Sequence, residues 1–205
     1  MTIDIRAFQE KLYFTAEDVA QTLDISPASA HVLCSRYVKK GLFIRVKKDF
    51  YALHQNWIHY DTADLIRIAN HLQTPSYVSL ASALSYHGLT TQVQRNWIES
   101  VGLKRTVQFE AAGTIFRYFK LQERHYFGFI KENNMFIAVP EKAFADACHL
   151  IVYGQYALDW SACDFGRLNR DSLAQISRVF PKRTQQYLEE VLSVERGYAG
   201  SDQAG

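Results

Sequence analysis

Between Ser26 and Gly41 the apolar residues Ala30, Leu33, Cys34 and Tyr37 recur at the i, i+3, i+4, i+7 spacing of one helix face. Ser26 can accept a hydrogen bond from the orphan N–H groups of a first turn, Pro27 sits where a missing N–H costs nothing, and Gly41 supplies the stop. The side opposite that stripe carries Ala28, Val32, Ser35 and Lys39, flanked by His31 and Arg36. A helix meant only for water would carry long charged side chains there. Small residues, a hydroxyl, a ring and a guanidinium suit the floor of a DNA major groove. After Gly41 the period changes: Leu42 to Val46 is an extended, β-branched run, Lys47-Lys48-Asp49 is a turn, and Phe50 to Leu53 returns. This predicts a basic hairpin whose Arg45, Lys47 and Lys48 can reach phosphates.

Upstream, Ile5, Phe8 and Leu12 predict a short helix over 3–12, and Thr15 followed by Asp18 predicts a capping box opening a helix over 16–23. Helix, helix, short turn, recognition helix, glycine and hairpin is the order of a winged helix-turn-helix domain, placed here at residues 1–56. A polar link then leads to a helix over 61–72 with Leu65, Ile68, Ala69 and Leu72 as its stripe, ended by Pro75. Ser79 is expected to cap a short helix with Leu80, Ala83 and Leu84 inside and Gly88 as its stop. From Trp97 to Val139 the period is two, with Ala112-Gly113 and Asn133-Asn134 as turns, which predicts an antiparallel sheet of four or so strands. Helices follow over 140–151, 171–179 and 182–194. The fold class read from this is α+β: the winged helix-turn-helix domain, a mixed domain over 57–196 with an antiparallel sheet and several helices, and a fraying tail over 197–205.

Charge sharpens the picture of the first domain. The 205-residue chain has a net charge of only +2. Residues 26 to 53 hold six Lys or Arg against the single acid Asp49, whereas residues 54 to 205 hold 15 of each sign. The surplus therefore lies before residue 54, which points to a polyanion partner, double-stranded DNA, for the N-terminal part. Three separated cysteines, Cys34, Cys148 and Cys163, lack metal or disulfide spacing, so a reducing compartment and no zinc site are expected. No apolar run approaches the roughly 20 residues of a membrane helix, so a cytoplasmic protein with no membrane partner is expected. Candidate catalytic chemistry is thin. Glu141 and Asp146, five residues apart, diverge by about 140° around a helix, whereas two carboxylates on one metal must converge. Lys142 and Asp146, at i and i+4, are read as a surface ion pair. The serines at 76, 79, 82 and 85 come with no placed base. No catalytic residue, metal site or cofactor is assigned, and a metal-dependent nuclease is the weakest alternative.

The segments SRYVKKGLF and DFYAL around the hairpin, PSYVSLASALSYHGL, and IAVPEKAFAD at the sheet-to-helix junction together resemble the AbiEi-family antitoxins of type IV toxin–antitoxin systems. The likeness covers most of residues 15 to 155. It implies a winged-helix domain that represses its own operon and a C-terminal domain that counters a neighbouring nucleotidyltransferase toxin. Its partners would be operator DNA and that cognate toxin. The alternative is a stand-alone regulator whose aromatic-rich C-terminal domain senses a small molecule.

Overall fold

The computed structural model describes residues 5–91 and 96–199. In place of a helix over 3–12 it has a single 3-10 turn, Ile5–Phe8, and residues 3 and 4 lie outside the described part. The turn is short because Phe14 is extended and exchanges both backbone hydrogen bonds with Tyr51, at 2.8 Å each. The helix α1 (Ala16–Leu23) opens on the capping box of Thr15 and Asp18. The helix α2 (Pro27–Lys39) starts with the Ser26 hydroxyl accepting from the Ser29 N–H. It ends on Gly41 at φ 69°, where the Leu42 N–H returns to the Tyr37 carbonyl and the Gly41 N–H to that of Val38. That pairing satisfies two carbonyls that the helix end leaves open.

The strands β1 (Phe43–Lys47) and β2 (Phe50–Leu53) pair antiparallel. Strand alternation sends successive side chains to opposite faces, and here both faces are buried. Phe43, Tyr51 and Leu53 join Phe8, Phe14, Val19, Leu33 and Tyr37 in a first core. Ile44, Val46, Phe50 and Ala52 join the larger core of the remaining chain. The hairpin is thus shared by the two cores. The polar link expected at its end is the short helix α3 (His54–Trp57), with Trp57 buried.

The helix α4 (Thr62–Leu72) carries its own capping box, Asp61 with Asp64. It is followed by β3 (Ser76–Val78) and α5 (Leu80–Tyr86), then by β4 (Trp97–Gly102), β5 (Val107–Ala111), β6 (Thr114–Lys120), β7 (Phe129–Glu132) and β8 (Met135–Ala138). The Ala112-Gly113 and Asn133-Asn134 turns each have both residues at positive φ, the backbone that a two-residue hairpin needs. The sheet has six strands in the order β5-β6-β4-β3-β8-β7. It is mixed, which corrects the antiparallel expectation: β3 runs parallel to β8, and β4 parallel to β6. Periodicity fixes which residues share a face but not the direction of the neighbouring strand. The three residues of β3 were too few to separate from the helix they precede.

Helices cover both faces. On one, Phe116 meets the ring of Trp57 and the Tyr118 hydroxyl donates to the Ala69 carbonyl of α4. On the other lies α6 (Pro140–Val152), which packs on α5, α7 (Arg170–Ser177) and α8 (Lys182–Ala199). Residues 197–199, expected to fray, continue α8, and 200–205 lie outside the described residues.

Because each hairpin face belongs to a different core, Phe50→Ala and Leu53→Ala should each cost about 2–5 kcal/mol. Amide exchange in α2 and in β4 should then accelerate together. Loss of protection confined to one of the two would show that the cores unfold independently.

Candidate nucleic-acid interface

The six α2 residues singled out for DNA, Ala28, His31, Val32, Ser35, Arg36 and Lys39, are all exposed, while Ala30, Leu33, Cys34 and Tyr37 are buried behind them. The helix contains no acidic residue. Val32 is 69% exposed, in the middle of this face. A branched apolar side chain there has nothing of its own chain to cover it and has the size and character that meet a thymine methyl group. The Arg36 guanidinium and the Lys40 ammonium lie 5.9 and 6.0 Å from the Tyr37 ring centroid. The Cys34 thiol is pushed up to about 11, chiefly by burial and then by the Asp49 charge, so it is an inert part of the core.

The hairpin departs from its expected role in one respect. Arg45 and Lys48 are exposed. Lys47 is half-buried, donates to the Leu72 carbonyl at the end of α4, and lies 5.6 Å from the Phe50 ring centroid. Burial, with the nearby Lys104 charge, lowers its pKa. Its ammonium is bonded within the fold, a placement that the turn position alone did not indicate. Asp49, at φ 59°, accepts from the Ala16 N–H at 3.0 Å. The turn is therefore docked against the first turn of α1 and the end of α4.

The other chemistry-bearing cluster was misplaced by the sequence reading. Lys142 and Asp146 are fully buried rather than a surface pair. Lys142 bonds both Asp146 and the Tyr77 hydroxyl, and Tyr77 and Ser79 donate to Asp146 Oδ2 at 3.0 and 2.8 Å. Ser79 therefore stands at the start of α5 without capping it, its hydroxyl turned to α6. Burial lowers the pKa of Lys142 and raises that of Asp146, with their mutual attraction opposing both shifts. Lys142 also lies 5.0 and 5.1 Å from the Phe127 and Phe180 ring centroids. Gly128, at φ +71°, leaves room for its stem, since a Cβ there would come within 3.0 Å of the lysine chain. The signal was present in PEKAFADACHLIV: apolar residues surround the helix, so it has no polar side on which to leave the two charges. Closed to solvent, this cluster holds α5, α6 and β3 together and presents no group to a substrate.

Beside it, His125 and His149 meet edge to face at 4.6 Å, and His125 stacks on Phe180 at 4.8 Å. Burial, the Arg124 and Lys142 charges and, for His149, His125 itself push both imidazoles down to about 4. Among the described residues, no group of three His, Cys, Asp or Glu side chains could hold a metal ion, and no helix is long and apolar enough to cross a membrane.

Fold and surface define a mixed α+β protein with one exposed, acid-free helix face and a buried ion pair. No protein-family model matches the chain, and comparison with curated proteins finds no match.

Lys142→Met strands a buried carboxylate and should cost about 3–5 kcal/mol. Adding Asp146→Asn, which can still accept from Tyr77 and Ser79, should restore part of that loss. A double variant with a lower urea midpoint than Lys142→Met alone would contradict this account. The histidines set a pH dependence. Their folded values lie below the ordinary 6.5, so their stabilising effect is complete above that value and is lost as pH falls through about 4. The urea midpoint should fall across this window, and less steeply in His125→Phe, which keeps a ring against Phe180 without nitrogens to protonate.

Proposed function

We propose that the chain is a DNA-binding repressor whose N-terminal part, to about residue 56, is a winged helix-turn-helix, with α2 as recognition helix and β1–β2 as wing. The observation that carries this reading is the face of α2, exposed, acid-free and built from small and hydrogen-bonding side chains. His31, Ser35 and Arg36 would meet base edges or adjacent phosphates, Ala28 and Val32 would lie against the groove floor, and Lys39, Arg45 and Lys48 would hold the backbone. The resemblance to AbiEi-family antitoxins extends the proposal. In that reading the chain represses its own toxin–antitoxin operon in the cytoplasm, is not an enzyme, needs no cofactor, and counters a cognate nucleotidyltransferase toxin through the domain that follows the hairpin.

Fluorescence anisotropy on duplexes from the chain's own upstream region tests the first part. Arg36→Ala should weaken specific binding by about 1–3 kcal/mol and relax one base preference. Lys48→Ala should weaken all duplexes alike and lower the salt slope by about one unit. Lys47→Ala should leave that slope unchanged, because its ammonium is bound to Leu72. Arg36→Ala with unaltered affinity and base preference would remove α2 from the groove. In cells carrying a neighbouring nucleotidyltransferase toxin, full-length Arg36→Ala should lose repression yet still rescue growth. Loss of both together would tie neutralisation to DNA binding.

A further inference from the structure

A pocket of about 530 Å³ opens between α4, α5 and β4, within the size range of about 300–1,000 Å³ that small-molecule sites occupy. Its wall contains three aromatic side chains, Tyr60, Tyr86 and Trp97, and two carboxylates, Asp61 and Glu99; among the described residues that line it there is no Lys, Arg or His. Trp97, Glu99 and Tyr60 are held in place by hydrogen bonds. The Trp97 indole N–H donates to Glu99 Oε1 at 3.2 Å, and the Tyr156 hydroxyl donates to Oε2 at 2.7 Å. Tyr60 is fixed by its hydroxyl, which donates to the Leu12 carbonyl at 2.7 Å. Glu99 is 4% exposed, and burial raises its pKa despite these donors and the Arg117 charge on the next strand. The Arg117 guanidinium itself lies 4.6 Å from the Phe119 ring centroid.

Aromatic rings and carboxylates, with no Lys, Arg or His among the described lining residues, favour one chemical class. The faces of Tyr and Trp rings carry negative potential and attract a cation, most strongly where the site is desolvated. An anion would meet the Asp61 and Glu99 carboxylates, with Arg117 the nearby positive charge, on the strand beside Glu99. We propose that this pocket binds an organic cation, an ammonium or quaternary amine attached to an apolar or aromatic body, with the charge set between Glu99, Asp61 and the rings. Tyr60 joins the pocket wall to the N-terminal part through Leu12, so occupancy would bear on operator binding. That consequence alone rests on the DNA-binding reading, and ligand binding is therefore measured without DNA.

The probes are benzyltrimethylammonium, neutral phenylacetamide and anionic phenylacetate, titrated calorimetrically into the full chain. The cation should bind saturably and at least tenfold more tightly than either control. Asp61→Asn keeps an N-cap side chain for α4, and Tyr86→Leu alters an exposed ring, so both variants should fold. Each should weaken the cation several-fold and leave phenylacetamide unchanged. Glu99→Gln should weaken it most. Equal affinity for cation and anion, no saturable cation binding, or cation binding indifferent to both Asp61→Asn and Tyr86→Leu would overturn the proposal. Cation binding with unaltered operator affinity would leave the site standing and remove only its link to DNA.

Discussion

Both faces of the β1–β2 hairpin pack against a core, and the rest of the molecule is arranged around that constraint. A two-stranded hairpin is barely stable by itself in water. Here it gains stability by lending Phe43, Tyr51 and Leu53 to one core and Ile44, Val46, Phe50 and Ala52 to the other. Its turn is fastened at two points, Asp49 to α1 and Lys47 to α4. The helices α1 and α2 are therefore connected to the six-stranded sheet through packed side chains as well as through the chain. A boundary at residues 54–60 follows the composition of the sequence, but a cut there would bare the apolar residues on which the hairpin rests.

The buried pair of Lys142 and Asp146 plays a corresponding part inside the larger core. Taking two charges out of water costs several kcal/mol per ion, and good geometry must offset it. The geometry includes Tyr77 from β3, Ser79 from the start of α5 and two residues one turn apart on α6. These groups meet only when β3 lies parallel to β8 and α6 crosses back over the sheet. An apolar core of the same volume would tolerate other strand orders more readily, so the pair favours this topology among those the pattern allows.

The longer helices were legible because their ends carry local chemistry, whereas the turn at Ile5–Phe8 and the short α3 were not. Thr15 with Asp18, Ser26 with Pro27, Gly41, and Pro140 are signals whose physics acts within a few residues. The exposed face of α2 followed from its stripe for the same reason. What escaped was set by distant partners. The parallel pairings of β3 and β4 join residues 59 and 18 positions apart, Val78 with Ile137 and Trp97 with Ile115. Lys47 looked like a turn-tip cation until Leu72 was beside it, and Ser79 looked like a cap until Asp146 took its hydroxyl. Lys142 and Asp146 stood at an i, i+4 spacing that serves equally for a solvated pair and a buried one. Only the apolar surroundings on every side of α6 separate the two.

The two-sided hairpin also divides the chain into positions of unequal freedom to change. A substitution at Ile44, Phe50, Tyr51 or Ala52 must suit a core and the strand opposite at once. The exposed positions of α2 lie outside both cores. Over generations the helix surface can diverge at Ala28, His31, Val32, Ser35, Arg36 and Lys39 while the scaffold beneath stays fixed. Descendants of this chain could come to differ in that surface while keeping nearly identical interiors, and kinship among them would be easier to trace through the hairpin than through the exposed face of α2.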